Sequence, residues 1–269
     1  LDVTTADGST VVASFIAALS GAEGGALTVL ASGFLSPEND QDGEAFGLLA
    51  VFPDGSASLL PPVVSDETAR AQIIHNAADP GAAVVDIYIE EISTDDPAVE
   101  DLAFRTATEF IDLPAEQELT ITVAPGDSES AADGLASFPA TRAADGTFSI
   151  VASGVLDPTV FEANPDGEDI GFTLLVGDAR EESTVGGQVQ FNVVHGSTDA
   201  PTVDVAARDV GTLVNDATYG DITGYIGVPA ASYTLDVTTA DGSTVVASFI
   251  ADLSGAEGGA LTVLASGFL

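Results

Sequence analysis

Apolar and polar residues alternate along most of the chain with the period of a β-strand. In Thr234–Thr239 (TLDVTT) every second residue is polar, and the apolar residues lie between them. This period of two predicts a strand with one buried and one solvated face. An Asp-Gly pair follows, which is typical of a tight turn, and Thr244–Ile250 (TVVASFI) predicts the returning strand.

Similar segments recur throughout the chain, and no stretch shows the 3.6-residue period of a long helix. Short strands separated by Gly, Pro and Asp predict an all-β protein built of Ig-like, Greek-key β-sandwiches. Ser93–Asp101 reads as an acidic insertion between two of the strands. The further predicted strands are Phe46–Phe52, Ala57–Leu60, Ala69–His75, Val84–Ile89, Thr108–Leu113, Leu119–Val123, Thr147–Ala152, Gly171–Val176, Gly187–His195 and Ala260–Phe268.

One segment occurs twice. Leu1–Leu35 recurs as Leu235–Leu269 with a single difference, Ala18 in the first copy and Asp252 in the second, at an offset of 235 − 1 = 234 residues. A weaker match relates Ile73–Ile89 to Val193–Ala207. These repeats predict a period of two homologous, diverged domains, each of about 117 residues (234/2).

The repeats also predict where the domains divide. Residues 1–66 are expected to be the later part of one sandwich (type B), with Asp42–Glu44 and Gly47–Phe52 matching Asp166–Glu168 and Gly171–Val176. Residues 67–184 are expected to form a complete sandwich (type A), and residues 185–269 the first part of the next type B sandwich. The sequence is therefore expected to be a window on a longer repeating chain.

The charge is extremely one-sided. The chain has 43 acidic residues against five basic ones, all of them Arg, and its net charge is −38. This balance excludes nucleic acid as a partner and disfavours anionic membranes. No apolar run reaches the roughly 18 residues of a membrane span, so membrane insertion is not expected. Acidic composition without Lys resembles that of halophile proteins, in which salt screens the repulsion.

The two histidines occupy the same position in the two domain types, and each precedes two aspartates. His75 precedes Asp79 and Asp86, as His195 precedes Asp199 and Asp204. Such sets are compatible with a metal or catalytic site, or with a histidine that binds the turn after its strand. One histidine per domain cannot make a multi-histidine zinc site, and no G-x-S-x-G motif is present. The structural role is therefore preferred, and the chain is not expected to be an enzyme.

Two matching loops are rich in oxygen ligands. The first carries Asp40, Asp42 and Glu44, and the second carries Asp166, Glu168 and Asp169. Hard cations such as Ca²⁺ prefer these ligands, although the spacing is not that of an EF-hand. A solvated acidic loop and a cation site that stiffens a domain junction both remain open, and no other cofactor is expected.

These residues carry a family resemblance. Val194–Val205 (VHGSTDAPTVDV), followed by Val228–Leu235 (VPAASYTL) with Tyr233, resembles the hallmark of a family of secreted β-sandwich domains of unknown function, the DUF4397 type. The type A domain keeps His75, Asp79 and Asp86 but has Leu119 where Tyr233 stands. The resemblance implies a β-sandwich fold and an extracellular or cell-surface setting, and it brings no activity.

The near-exact repeat suggests the function. Recurrence of one domain pair is expected where the same interface must be presented again and again, as in quasi-one-dimensional assemblies. The expected partner is therefore a further copy, joined head to tail in an extracellular filament, fibre or surface stalk. The alternative is a cell-surface adhesin or a glycan- or cation-binding repeat.

Overall fold

A computed structural model describes residues 1–6, 8, 11–18, 25–35, 43–61 and 67–269. The chain divides into two compact units, Leu1–Ser65 and Asp66–Leu269. The second unit holds two sandwiches, which we call module A (residues 67–184) and module B (residues 185–269). The helical segments described are three short 3-10 turns, Pro80–Ala82, Ala131–Asp133 and Pro158–Val160. Within the described ranges no helix has the length and hydropathy needed to cross a membrane.

Module A consists of two four-stranded sheets packed face to face. The strands are β6 (Thr68–His75), β7 (Val84–Ile89), β8 (Val99–Ala103), β9 (Ile111–Pro114), β10 (Glu118–Pro125), β11 (Ala136–Thr141), β12 (Thr147–Ser153) and β13 (Thr173–Asp178). One sheet has the order β11-β10-β7-β8 and the other the order β13-β12-β6-β9. All neighbours are antiparallel except β6 and β12, which pair in parallel.

The core of module A lies between these sheets and is built from alternate residues of the strands. Ile73, Ile121 and Ile150 are among its fully buried members. The period-two pattern places these side chains on the inner faces, where burial of a side chain of this size contributes about 1.5–3 kcal/mol. The all-β prediction is therefore confirmed.

Module B repeats the order of the first seven strands of module A. Its strands are β14 (Gln188–His195), β15 (Val203–Ala207), β16 (Gly211–Ala217), β17 (Ile226–Pro229), β18 (Ser232–Thr239), β19 (Val245–Asp252) and β20 (Ala260–Ala265). Its sheets have the orders β17-β14-β20 and β16-β15-β18-β19, and β14 pairs in parallel with β20 as β6 does with β12. Phe191 and Val205 belong to its core.

The unit Leu1–Ser65 contains a hairpin and a three-stranded sheet. The hairpin joins β1 (Asp2–Thr4) to β2 (Val11–Ser14), and the sheet has the order β3-β4-β5, formed by Thr28–Ser32, Gly47–Val51 and Ala57–Leu59. The hairpin keeps the register of β18 and β19: Asp2 pairs with Ser14 as Asp236 pairs with Ser248, with the same irregularity after the second pair. The turn and the alternating pattern therefore determine the register locally.

Three details correct the sequence-based interpretation. The acidic insertion at Ser93–Asp101 contains the start of strand β8, and strand β11 was not predicted. The match between Gly47–Phe52 and Gly171–Val176 is displaced by two residues: Ser32 pairs with Gly47, whereas the equivalent Ser153 pairs with Thr173. Gly and Leu recur at short intervals in both segments, so sequence alone favours the wrong alignment. No finding here tests the 234-residue period, which stays a prediction.

Candidate functional site

Both histidines lie at the end of the first strand of their module and bind the turn that follows. His75 Nε2 is 2.6 Å from the carbonyl oxygen of Ala82, and His195 Nε2 is 3.1 Å from that of Pro201. A carbonyl oxygen only accepts, so Nε2 carries the proton in each ring. His75 Nδ1 in turn accepts from the amide of Ala77 at 3.4 Å, which fixes a neutral imidazole.

The first aspartate of each motif joins this turn to the chain at the same end of the neighbouring parallel strand. Asp79 accepts from the amides of Gly81 at 2.7 Å and Leu156 at 2.8 Å. Asp199 accepts from the amide of Leu269, at 2.9 Å to Oδ1 and 3.1 Å to Oδ2. Each carboxylate therefore connects the turn after the first strand to the segment that follows its parallel partner.

The second aspartate and the tyrosine stabilise other turns. Asp86 accepts from the amide of Asp101 at 2.9 Å, and Asp204 accepts from the amide of Asp216 at 2.7 Å. Tyr233 donates to the carbonyl oxygen of Pro229 at 2.8 Å. The motif thus distributes its polar groups over separate turns and does not gather them into one cluster. Among the described residues, no group of three or more His, Asp or Glu side chains is placed to hold a metal ion.

Stability is expected to fall as pH drops below about 6.5, in part because of His75. Burial lowers the pKa of this imidazole, so the unfolded chain takes up the proton before the folded chain does. A single such group gives a slope of at most about 1.4 kcal/mol per pH unit, and the contribution is complete above the unfolded pKa. Chemical denaturation at several pH values measures this slope. The variant His75→Gln should show a shallower slope, and equal slopes would contradict the assignment.

Modules A and B are joined through the outer faces of their β6 and β14 sheets. Ser149, Val151 and Ser153 on β12 point away from the core of module A and are nevertheless fully buried. On β14, Asn192 and Val194 are likewise fully buried on the outward face. This shared face explains why the two modules form one compact unit.

Hydrogen bonds across this face involve side chains from both modules. Asn76 donates to the carbonyl oxygen of Gly196 at 3.1 Å, and the Ser153 and Tyr219 hydroxyls are 3.2 Å apart. Arg105 donates to both the hydroxyl and the carbonyl oxygen of Ser266, at 3.1 and 2.8 Å. The junction is therefore specific in geometry as well as buried.

The acidic loop of module A is part of the same junction. Asn164 is buried and donates to the carbonyl oxygens of Thr198 at 2.9 Å and Ala200 at 3.1 Å. Asp166 accepts from the amide of Thr202 at 2.6 Å and from its hydroxyl at 2.8 Å, and these bonds lower the pKa of Asp166. A loop expected to bind either water or a cation thus contacts the neighbouring module directly.

The remaining residues of the two loops are placed differently. Asp169 accepts from the amide of Gly171 at 2.9 Å, and Glu168 is exposed. In the matching loop Glu44 is exposed, while Asp40 and Asp42 lie outside the described residues. The cation-binding expectation therefore stays untested.

Replacing Asn164 by Ala is expected to destabilise the junction by about 2–3 kcal/mol. Two buried carbonyl oxygens lose their donor, and each unsatisfied group of this kind costs about 1–3 kcal/mol. Calorimetry should resolve one cooperative transition into two as module A and module B uncouple. The exposed Asn215 offers a matched control, and Asn215→Ala should leave the transition single. A single unchanged transition in Asn164→Ala would show that the loop does not couple the modules.

One feature of the sequence indicates that this face is buried. The outward positions of β6, β12, β14 and β20 hold no acidic residue in a chain with 43 of them, and Arg70 is their one charged side chain. Charged residues are depleted at the core of a protein interface. The members are Gln72, Ile74, Asn76, Ser149, Val151, Ser153, Gln190, Asn192, Val194, Thr262, Leu264 and Ser266.

A cavity of about 410 Å³ remains between the modules. Gln72, Ile74 and Phe110 line it from module A, and Thr262 and Leu264 from module B. Arg180, at the connection between the modules, lies over the Tyr225 ring at 4.6 Å and donates to Gln190 at 3.0 Å. The guanidinium groups of Arg105 and Arg180, which line the cavity, therefore both bind residues of module B.

Comparison with known proteins gives a family and little else. A search of curated proteins finds no match. Among solved structures, the chain is similar to the Bacillus anthracis TIE protein at 10% identity and a TM-score of 0.22, over 90% of this chain and 58% of that chain. This chain thus spans less than two thirds of that protein, and a likeness this low carries no argument.

The family comparison is more informative. Residues 69–206 and 189–269 match the family described as Domain of unknown function (DUF4397). The two matches together cover modules A and B, which agrees with the shared order of their strands and with the resemblance carried by the histidine motif. The chain belongs to the DUF4397 domain family.

Proposed function

We propose that this chain is a repeating stretch of an extracellular filament or surface stalk, in which acidic β-sandwiches follow one another head to tail. The observation that carries the proposal is the junction of modules A and B, a buried face between two homologous sandwiches of one chain. A junction of this kind sets the angle between neighbours. Repeated with the near-identical segments of the sequence, it generates a regular one-dimensional array.

The charge supports an extended assembly in high salt. With a net charge of −38, neighbouring modules repel one another unless the solution screens them. Repulsion between charges extends over about 10 Å at 0.1 M salt and over about 3 Å at 1 M salt. Long fibres are the expected product in high salt, in an extracellular or cell-surface setting.

Stability is accordingly expected to rise by several kcal/mol as NaCl increases from 0.1 M to above 1 M. The acidic side chains lie closer together in the folded chain than in the unfolded one, so screening favours folding. Thermal unfolding in NaCl and in KCl of equal ionic strength measures the effect, and the two salts should act equally if screening is the cause. A melting temperature independent of salt would contradict this prediction.

Electron microscopy of native extracellular material tests the filament itself. Long thin fibres with an axial repeat of one domain pair are expected in high salt. Dispersed single molecules in both high and low salt would overturn the proposal.

A further inference from the structure

Equivalent aromatic rings mark the same place in the two modules. Phe104 packs edge-on against His75, with ring centroids 6.1 Å apart, and Tyr219 packs edge-on against His195, with ring centroids 6.5 Å apart. Each ring comes shortly after the third strand of its module, β8 or β16. Phe104 and Tyr219 are therefore counterparts.

Asn76 and Gly196 are counterparts as well. Each directly follows the motif histidine of its module. Their backbone amides donate to the carbonyl oxygens of Ala152 at 2.8 Å and Ala265 at 3.1 Å. Each of these alanines is the partner of the motif histidine in the parallel strand pair of its module. The same backbone position therefore carries Asn in module A and Gly in module B.

The contacts across the junction occur in exchanged pairs. The hydroxyl of Ser153 lies 3.2 Å from that of Tyr219. Ser266 is the counterpart of Ser153, and its hydroxyl accepts at 3.1 Å from Arg105, the neighbour of Phe104. Contacts of residue i with j and of j with i characterise a two-fold interface. Modules A and B therefore face each other across an approximate two-fold axis.

Asn76 and Gly196 meet each other at this axis. The buried side chain of Asn76 donates to the carbonyl oxygen of Gly196 at 3.1 Å. A Cβ atom at Gly196 would lie 2.0 Å from Nδ2 of Asn76, far inside van der Waals contact. Gly196 is not among the glycines with a positive φ. The space beside Asn76, and not the backbone conformation, therefore requires glycine here.

Two like modules would lose this fit. An A–A contact of the same geometry would place Asn against Asn, and the two side chains would overlap at the axis. A B–B contact would place Gly against Gly and leave a buried carbonyl oxygen without this donor, which is unfavourable. It would also lack the bonds that Arg105 donates to Ser266, because the counterpart of Arg105 in module B is Gly220.

We propose that the residue after the motif histidine determines which modules pair, and that Asn76 restricts module A to a partner with Gly at this position. A side chain on one face and none on the other fit only in unlike pairs, and a clash built against the wrong partner is a common source of specificity. The inference rests on the proposed function, since a repeating chain presents many copies of both faces. In such a filament this face joins the two modules of a pair, and successive pairs follow one another along the chain.

All four combinations at the axis can be compared in the full-length chain. Gly196→Asn reproduces an A–A contact at this position, and Asn76→Gly reproduces a B–B contact. The double variant Asn76→Gly/Gly196→Asn reverses the parent arrangement. Module A already holds Asn on the equivalent backbone, so module B is expected to accept it once the opposing Asn is removed. The remaining close approach, 3.0 Å from a Cβ atom at residue 196 to the carbonyl oxygen of Ala265, needs a shift of a few tenths of an ångström.

Scanning calorimetry distinguishes the four chains. The unit Asp66–Leu269 should unfold in one transition in the parent and in the reversed variant, and in two transitions in Gly196→Asn because modules A and B uncouple. Asn76→Gly should keep one transition at a lower melting temperature, since it loses a hydrogen bond without a clash. The reversed variant should begin to unfold about 4 °C or more above Gly196→Asn, although it carries one substitution more, because substitutions of contacting residues are not additive.

Gly255→Asn provides a matched control in module B. Gly255 is exposed and has no positive φ, and a Cβ atom there would meet nothing within 4 Å, so the transition should not change. A reversed variant that unfolds no later than Gly196→Asn would overturn the proposal, since the proposal requires the two sides to be exchangeable. A single, unshifted transition in Gly196→Asn would overturn it as well.

Calorimetry and microscopy fail independently. Native fibres without recovery in the reversed variant would overturn the pairing rule and leave the filament standing. Recovery without native fibres would support the pairing rule and overturn the filament.

Discussion

Replacing Gly154 by Ala is expected to lower the free energy of unfolding of the unit Asp66–Leu269 by about 3–5 kcal/mol. Gly154 has a φ of +89°, and a Cβ atom there would lie 2.3 Å from the carbonyl oxygen of Gly171 and 2.8 Å from that of Ile170. Left-handed backbone costs an L-residue roughly 1–2 kcal/mol. The overlap of the Cβ atom with the two carbonyl oxygens accounts for the remaining cost. A loss of this total size is among the largest that single substitutions cause.

The size of this effect can be checked against a glycine with the same backbone and free space. Gly167 has a φ of +86°, and a Cβ atom there would meet nothing within 4 Å, so Gly167→Ala should cost only about 1–2 kcal/mol. For a unit of about this size, each kcal/mol lowers the melting temperature by about 2–4 °C. Scanning calorimetry should therefore separate the two variants clearly. Equal losses would show that the close approach at Gly154 is relieved by movement of the backbone.

Replacing Asn192 by Asp is expected to uncouple modules A and B at neutral pH, at a cost of about 3–5 kcal/mol. Asn192 is fully buried on the outward face of β14, and its side-chain oxygen and nitrogen have no hydrogen-bond partner within the described residues. The substitution preserves the shape and adds a negative charge at a buried position where the described residues provide no hydrogen-bond partner. An unpaired buried charge costs several kcal/mol.

The pH dependence of this variant identifies the cause. Burial favours the neutral carboxylic acid and should raise its folded pKa above the unfolded value of about 3.9. The destabilisation should therefore be small below the unfolded pKa and grow as pH rises toward and through the folded pKa. Denaturation at pH 4 and at pH 7 measures the difference between variant and parent. Asn192→Leu, which has a similar size and no charge, should show little change between the two pH values, and a similar change there would contradict the explanation.

The sequence was informative where one segment determines its own conformation. The hairpin that begins at Leu235 could be predicted from alternation and an Asp-Gly turn, and the same residues near Leu1 adopt the same register. The histidine motif was recognisable because residues at fixed spacing bind one turn, as His75 and Asp79 do. Such contacts involve few residues and little of the rest of the fold.

The junction between the modules could not be predicted in the same way. Its contacts join residues far apart in the chain, such as Asn76 and Gly196, or Arg105 and Ser266. Alternation indicates that one face of a strand is polar, but it does not distinguish a face covered by water from one covered by another module. The absence of acidic residues from the outward positions of β6 and β14 was the available signal. The sequence around Asp166 favoured a solvated or cation-binding loop, whereas Asp166 binds Thr202 of module B.

The parallel pairing of first and late strands has a consequence for how a chain of such modules folds. Arg70 of β6 pairs with Thr147 of β12, which lies 147 − 70 = 77 residues later in the chain. The sheet that contains β6 is therefore incomplete until β12 has been synthesised. Pairings this distant in sequence form slowly, and meanwhile a similar strand from another module can compete for the same place. Modules A and B differ in sequence, which makes adjacent modules poor substitutes for each other. In the longer repeating chain that the sequence predicts, near-identical segments would be separated by a full module of different sequence, and this divergence would reduce strand exchange between neighbours during synthesis.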